Sequence, residues 1–356
     1  MKLVAAMGLA LCAVGLSAPA FAQAKLCDAP KQMEGFKTCA NLDKAKAEGA
    51  FTLYSTDPEA GQVKLLAAFN KMFPEIKTSY VRLQAGALYA KVLSERQAKS
   101  YLVDVIQLSD MGMILDFQRK GGFRQYISPE MQFFPAEAKS KPEGYWTWGS
   151  VIMAGIAYNP NNVPAAEAPK KWEDLLDPKW KDAINVKVSN SGLQHGIWYM
   201  LKPLLGDDYF KKFAAQKPRA FDSYVQQYGR LVDGQDKIIM GAQYSGAVEF
   251  QAKGAPIGFV FPELGLPTVS ETYGIVADSP HPNAAQLFMD WFLSPVGQKA
   301  LAEALALHSP RDDVPPPQGA VPLSNMKLLI PADWDAFEKD RPPFAKEWDR
   351  IVGARR

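Results

Sequence analysis

The chain has 356 residues, more than one small core requires and suited to two domains of common size. Its composition, 47% apolar and 22% charged with 27 prolines and 26 glycines, is that of a globular protein and excludes disorder, collagen and coiled coil. Forty Lys and Arg stand against 38 Asp and Glu, a formal charge of +2, and no basic block offers a footprint for a phosphate backbone, so no nucleic-acid partner is expected.

Lys2 precedes an apolar run over residues 3–16, and Ser17-Ala-Pro-Ala-Phe-Ala-Gln-Ala24 then supplies the small residues of a cleavage site. Residues 1–22 are expected to be a secretory signal peptide, because the apolar run is shorter than a membrane-spanning helix needs. Cys12 would leave with it, and Leu11 before it argues against lipid attachment. Cys27 and Cys39 are then the only thiols of the mature chain, in an oxidising compartment, and are expected to form a disulfide within the segment 23–50.

Residues 51–55 read as a strand, 58–73 as a helix with Val63, Leu66, Phe69 and Phe73 on one face, 76–82 as a strand, 86–99 as a helix and 102–108 as a strand. Thr56 or Asp57 is a suitable cap for the first of these helices. The alternation predicts a parallel, doubly wound sheet, which takes ligands at the carboxyl ends of its strands. An aromatic stretch, Tyr145-Trp-Thr-Trp-Gly-Ser150, leads into a strand at 151–158, where the chain is expected to cross into a second lobe. Trp146 and Trp148 read as packing between lobes. In that lobe, strands are expected at 183–188 and 257–261 and helices at 193–205 and 236–252. The chain then returns through 262–267 to a strand at 273–277 and helices at 283–293 and 295–305. The resulting layout is α/β: lobe 1 from 51–154 with 262–305, lobe 2 from 155–261, and a C-terminal segment 306–356 that belongs to neither by sequence. Two crossings make a hinge that can close on a ligand.

The chain holds no GxSxG, P-loop, GxGxxG, HExxH or EF-hand pattern. His281 and His308 read as residues of surface turns, whereas His195 follows Ser189-Asn-Ser-Gly192, a helix entrance whose hydroxyl, amide and backbone N–H groups suit an anion. Three similar junctions occur in the first lobe, at Ser55-Thr-Asp57, Arg82 to Gly86, and Ser109-Asp110. No catalytic residue, cofactor or dedicated metal site is expected.

Phe51-Thr-Leu-Tyr-Ser55, Ala68-Phe-Asn-Lys-Met-Phe-Pro-Glu-Ile-Lys77, Val103-Asp-Val-Ile106, Ala157-Tyr-Asn-Pro160, Lys171-Trp-Glu-Asp-Leu-Leu-Asp-Pro-Lys-Trp180, Pro280-His-Pro-Asn-Ala-Ala285 and Ser294-Pro-Val-Gly-Gln298 together resemble the periplasmic solute-binding proteins of ABC importers. The likeness is to family 1 and its ferric-iron-type subgroup. It implies a type II periplasmic-binding-protein clamshell of two doubly wound lobes joined by a hinge. It also implies a periplasmic monomer that captures a small ligand without catalysis and delivers it to an inner-membrane permease with its ATPase. Iron-binding members carry two adjacent tyrosines, but here Tyr244 stands alone beside Ser245. An organic or phosphorus-containing anion is therefore expected over ferric iron, for which Tyr244 would be the ligand. The expected ligand-binding residues are Ser55, Thr56, Arg82, Ser109, Ser189, Asn190, Ser191 and Tyr244.

Overall fold

The computed structural model describes residues 26–352, and the expected signal peptide lies outside the described residues. The chain opens with an antiparallel ribbon, β1 (Lys31–Met33) and β2 (Phe36–Thr38), tied by the Cys27–Cys39 disulfide with its Cα atoms 5.8 Å apart. Buried Asp290 holds the ribbon on the body, accepting hydrogen bonds from Thr38 Oγ1 at 2.6 Å and Cys39 N at 3.0 Å. Helix α1 (Leu42–Glu48) is capped by Asn41 and ends on Gly49, whose φ of 63° suits a residue without Cβ.

The expected β-α-β-α-β run follows as β3 (Ala50–Ser55), α2 (Glu59–Met72), β4 (Lys77–Arg82), α3 (Ala85–Gln97) and β5 (Val105–Leu108), and is extended by α4 (Met111–Arg119). Leu66, Phe69 and Phe73 are buried as the helical spacing implies, but Val63 is exposed. The N-cap of α2 is Pro58, with no side-chain cap, because Asp57 is turned inward instead.

The rest of the chain forms β6 (Thr147–Tyr158), β7 (Ile184–Lys187), α5 (Gly192–Leu205), α6 (Asp207–Ala214), β8 (Arg219–Phe221), α7 (Tyr224–Val232), β9 (Ile238–Gln243) and α8 (Tyr244–Ala252). After these come β10 (Gly258–Val260), β11 (Leu266–Ile275), α9 (Pro282–Phe292), α10 (Pro295–Leu305), β12 (Leu328–Leu329) and α11 (Trp334–Val352). One expected helix is corrected here: residues 236–252 divide into strand β9 and helix α8. Every residue of β9 is buried, and a strand covered on both faces shows a continuous apolar run with no alternation to betray it.

Ten strands form one sheet in the order β4-β3-β5-β11-β6-β9-β7-β8, with β10 added to β6 and β12 to β11. Its wings, β4-β3-β5 and β9-β7-β8, are parallel as expected. The centre is antiparallel: β11 pairs with β5 and β6, and β6 with β9, so these two long strands carry the sheet from one lobe to the other. A bulge interrupts the β11–β6 pairing between Glu271 and Thr272.

His308 is not at the surface: it is buried, with Nε2 2.9 Å from the Val321 carbonyl. His281 is half-buried, with Nδ1 3.0 Å from Asp104. Trp146 donates to Gln118 Oε1 at 2.7 Å, and Trp148 meets Trp334 edge to face. The unassigned C-terminal segment ends in α11, which packs on α4 of the first lobe and on α5 and α6 of the second. Among the described residues no helix is long and apolar enough to cross a membrane.

Candidate ligand-binding site

The carboxyl ends of β3, β4 and β5 face those of β7, β8 and β9, and a cleft lies between them. From the first lobe it is lined by Thr56, Asp57, Pro58, Arg82, Gln84 and Ser109, and from the second by Lys187, Ser191, Leu193, Ser223, Tyr224 and Gln243. The central strands add Ile152 and Glu271.

The two lobes touch directly across this cleft. Arg82 Nη1 lies 2.9 Å from Asp222 Oδ2, and Gln84 Nε2 donates to the Asp222 carbonyl at 2.7 Å. A Cβ built on Gly192 would stand only 2.3 Å from the Ser109 carbonyl oxygen. The remaining cavity, about 30 Å³, has room for about two waters.

Lys187 ends β7 inside the cleft and is only 8% exposed. Its Nζ has one hydrogen-bonding contact, the Asp222 carbonyl at 3.5 Å. Burial, with Arg82 nearby, lowers its ammonium pKa to about 8. Asp57 and Glu271, both buried, bring two carboxyls to the same cavity. Burial and the Asp57 charge push Glu271 well above the usual carboxylate range, and burial raises Asp57 too, so the two together retain a proton more readily than free carboxyls do. Gln62 Nε2 donates to Asp57 Oδ2 at 2.8 Å, and Ser150 Oγ to Glu271 Oε2 at 2.5 Å.

Of the residues singled out by sequence, Thr56, Arg82, Ser109 and Ser191 line the cleft. Ser191 is the N-cap of α5, yet its side chain makes no capping bond. Ser55 lies just beneath, fully buried, donating to Gln107 Oε1 at 2.7 Å. Ser189 and Asn190 are outside the lining, and the Asn190 carbonyl accepts from Arg341 at 3.1 Å. Tyr244 is also outside it, its hydroxyl accepting from Val321 N at 2.9 Å and its ring beside His308. Its neighbour Gln243 lines the cleft instead and donates through Nε2 to Ser245 Oγ at 2.8 Å. His195 is fully buried away from the cleft, with Nε2 3.4 Å from Asp340. Sequence reading missed Asp57 as a cleft residue, Lys187 and Glu271; the available signal was a charge placed inside or at the end of an otherwise uncharged strand.

Residues 101–340 match the family model described as bacterial extracellular solute-binding protein. A probable ABC transporter periplasmic-binding protein, y4fP of Sinorhizobium fredii, is 25% identical over 268 residues, 71% of this chain and 73% of that one. AfuA from Actinobacillus pleuropneumoniae, with fructose-6-phosphate bound, superposes with a TM-score of 0.76 at 20% identity over 86% of this chain and 99% of its own. Iron-bound HitA from Pseudomonas aeruginosa gives 0.72 at 19% identity over 85% and 99%. The fold is the type II clamshell of two lobes, and the relatives are transport proteins rather than enzymes. On its matched family, the chain belongs to the bacterial extracellular solute-binding proteins, as a binding protein of the ABC-importer type related to the ferric-binding proteins.

Proposed function

We propose that this protein captures a small organic or phosphorus-containing anion in the periplasm and hands it, as a monomer, to an inner-membrane permease with its ATPase. The observation that carries the reading is Lys187: a nine-tenths-buried ammonium lining the cavity, with one distant carbonyl contact. An ammonium stripped of water and left so poorly paired favours an incoming anion. Arg82, Ser109 and Ser191 add further donors around the same cavity.

The fold alone does not choose between anion and iron, since relatives of this shape hold either a sugar phosphate or iron. The donor set favours the anion. Tyr224, the tyrosine of the lining, has its hydroxyl bonded to Glu249 Oε2 at 2.6 Å, and no second tyrosine lines the cavity beside it. Among the described residues no group of three or more His, Cys, Asp or Glu is placed to hold a metal.

Calorimetric titration with inorganic phosphate and ethyl phosphate, beside an absorbance titration with ferric citrate, tests this. Arg82→Ala is expected to weaken phosphate binding by on the order of 2 kcal/mol or more. A coloured stoichiometric ferric complex that disappears in Tyr224→Phe, the tyrosine of the lining, would make the protein an iron carrier.

A further inference from the structure

Anion capture leaves two buried carboxyls in the same cavity without a role. Asp57 and Glu271 are 4% and 1% exposed and both line it, Asp57 from the turn between β3 and α2, Glu271 from the bulge in β11. Among the described residues neither has a cationic partner in an ion pair; Asp57 accepts from the Gln62 amide and Glu271 from the Ser150 hydroxyl. A pair of carboxyls buried in one cavity is costly, and beside an anion it is also repulsive. The cost is repaid if the ligand brings its own cation.

We propose that the cleft takes a small amphoteric ligand, its anionic group at Lys187 and Arg82 and its amine at Asp57 and Glu271. The proposal rests on the anion reading above and narrows it to a ligand class. Charge supports it. With one proton retained by Asp57 and Glu271 together, the cations Lys187 and Arg82 are matched by the remaining carboxylate and by Asp222, which holds Arg82. A site that sums to zero suits a ligand of low net charge rather than a dianion or a trivalent ion. The Lys187 ammonium, nine-tenths buried at the same cavity, marks the anionic pole independently of the acids. When an alkylammonium docks, it replaces the proton retained by the two carboxyls as the counter-charge. That proton passes to solvent, one released for each ligand bound, and no covalent bond changes.

The test uses O-phosphoethanolamine, ethyl phosphate and glucose 6-phosphate on the mature protein, by calorimetry in buffers of different ionisation enthalpy. Phosphoethanolamine is expected to bind at least about tenfold more tightly than ethyl phosphate, since a charged hydrogen bond is worth that much. Its binding should also release a proton. Glu271→Gln should bring the ratio, read within that one variant, close to one; Asp57→Asn, with the same readout, serves if that variant does not fold. Equal binding of the two phosphates, an unaltered ratio in the folded variant, or glucose 6-phosphate outranking phosphoethanolamine would remove the amine and leave the anion reading standing. Failure of all three probes and of inorganic phosphate to bind would overturn the anion reading and this inference together.

Discussion

Lys187 links burial to pH. Held near 8 in the fold, against about 10.4 in an unfolded chain, it lacks between those values a proton that the unfolded chain binds. Its contribution to stability therefore rises with pH across that window. Anion binding runs the other way, because it requires the ammonium. Affinity for ethyl phosphate should fall by up to about tenfold per unit above pH 8, and Lys187→Arg should flatten the profile. Calorimetry between pH 7 and 9.5 reads this directly, and a wild-type profile flat to 9.5 would exclude Lys187 from the anion site. Gly192 makes a second residue-scale prediction. It opens α5, where alanine is locally favourable, and its missing Cβ is what lets the Ser109 carbonyl come close. Gly192→Ala should push the Ser109 carbonyl away from α5 and weaken ethyl phosphate binding at least about tenfold, on the scale of a few kcal/mol for overpacking. Unaltered affinity would mean that binding does not bring Ser109 to α5.

Helix α11 joins the lobes more than any loop does. Glu338 pairs with Arg119 at 2.6 Å on one lobe, while Phe337 and Phe344 cover His195 and Trp348 covers Trp198 on the other. Arg341 joins both: Nη1 is 3.0 Å from buried Asp110, the N-cap of α4, and 3.2 Å from the Ser191 carbonyl at the N-cap of α5. Removing one partner of a buried pair leaves the other charge unpaired. Arg341→Ala should therefore cost about 3 kcal/mol in denaturant unfolding, with part recovered by Arg341→Lys. A loss below about 1 kcal/mol would show that the lobes are held elsewhere.

For the whole molecule, closure turns on β6 and β11, the strands that serve both halves of the sheet. A hinge made of two strands flexes most readily where pairing is already broken, and the Glu271/Thr272 bulge is such a place. The ligand-bound form should be more compact than the ligand-free form in solution scattering. It should also be more stable, by about 2.7 kcal/mol with ligand at 100 times its Kd, because ligand binds only the folded state. An unchanged radius of gyration with bound ligand would contradict hinge closure.

Much of this was legible in the amino-acid sequence. Helix α10 spans the residues its caps and periodicity mark, and the first three parallel strands end where the turn residues stand, because caps, glycines and helical spacing are local signals. The same locality made Thr56, Arg82, Ser109 and Ser191 visible as junction residues that the sheet edge then gathers. The disulfide was legible by elimination, from the thiols left in the mature chain. Strand β9 was not, because burial on both faces erases its period. Nor was α11, in a segment that sequence left without a lobe: an apolar face over Phe337, Phe344 and Trp348 has meaning only once Trp198 and Phe210 are there to receive it. Asp57 reads as an ordinary helix cap, and Glu271 falls before the strand expected at 273–277, whereas β11 begins at Leu266. They lie 214 positions apart in the chain, and only a sheet that folds back through its central strands brings the two carboxyls to one cavity, where loss of water sets their chemistry.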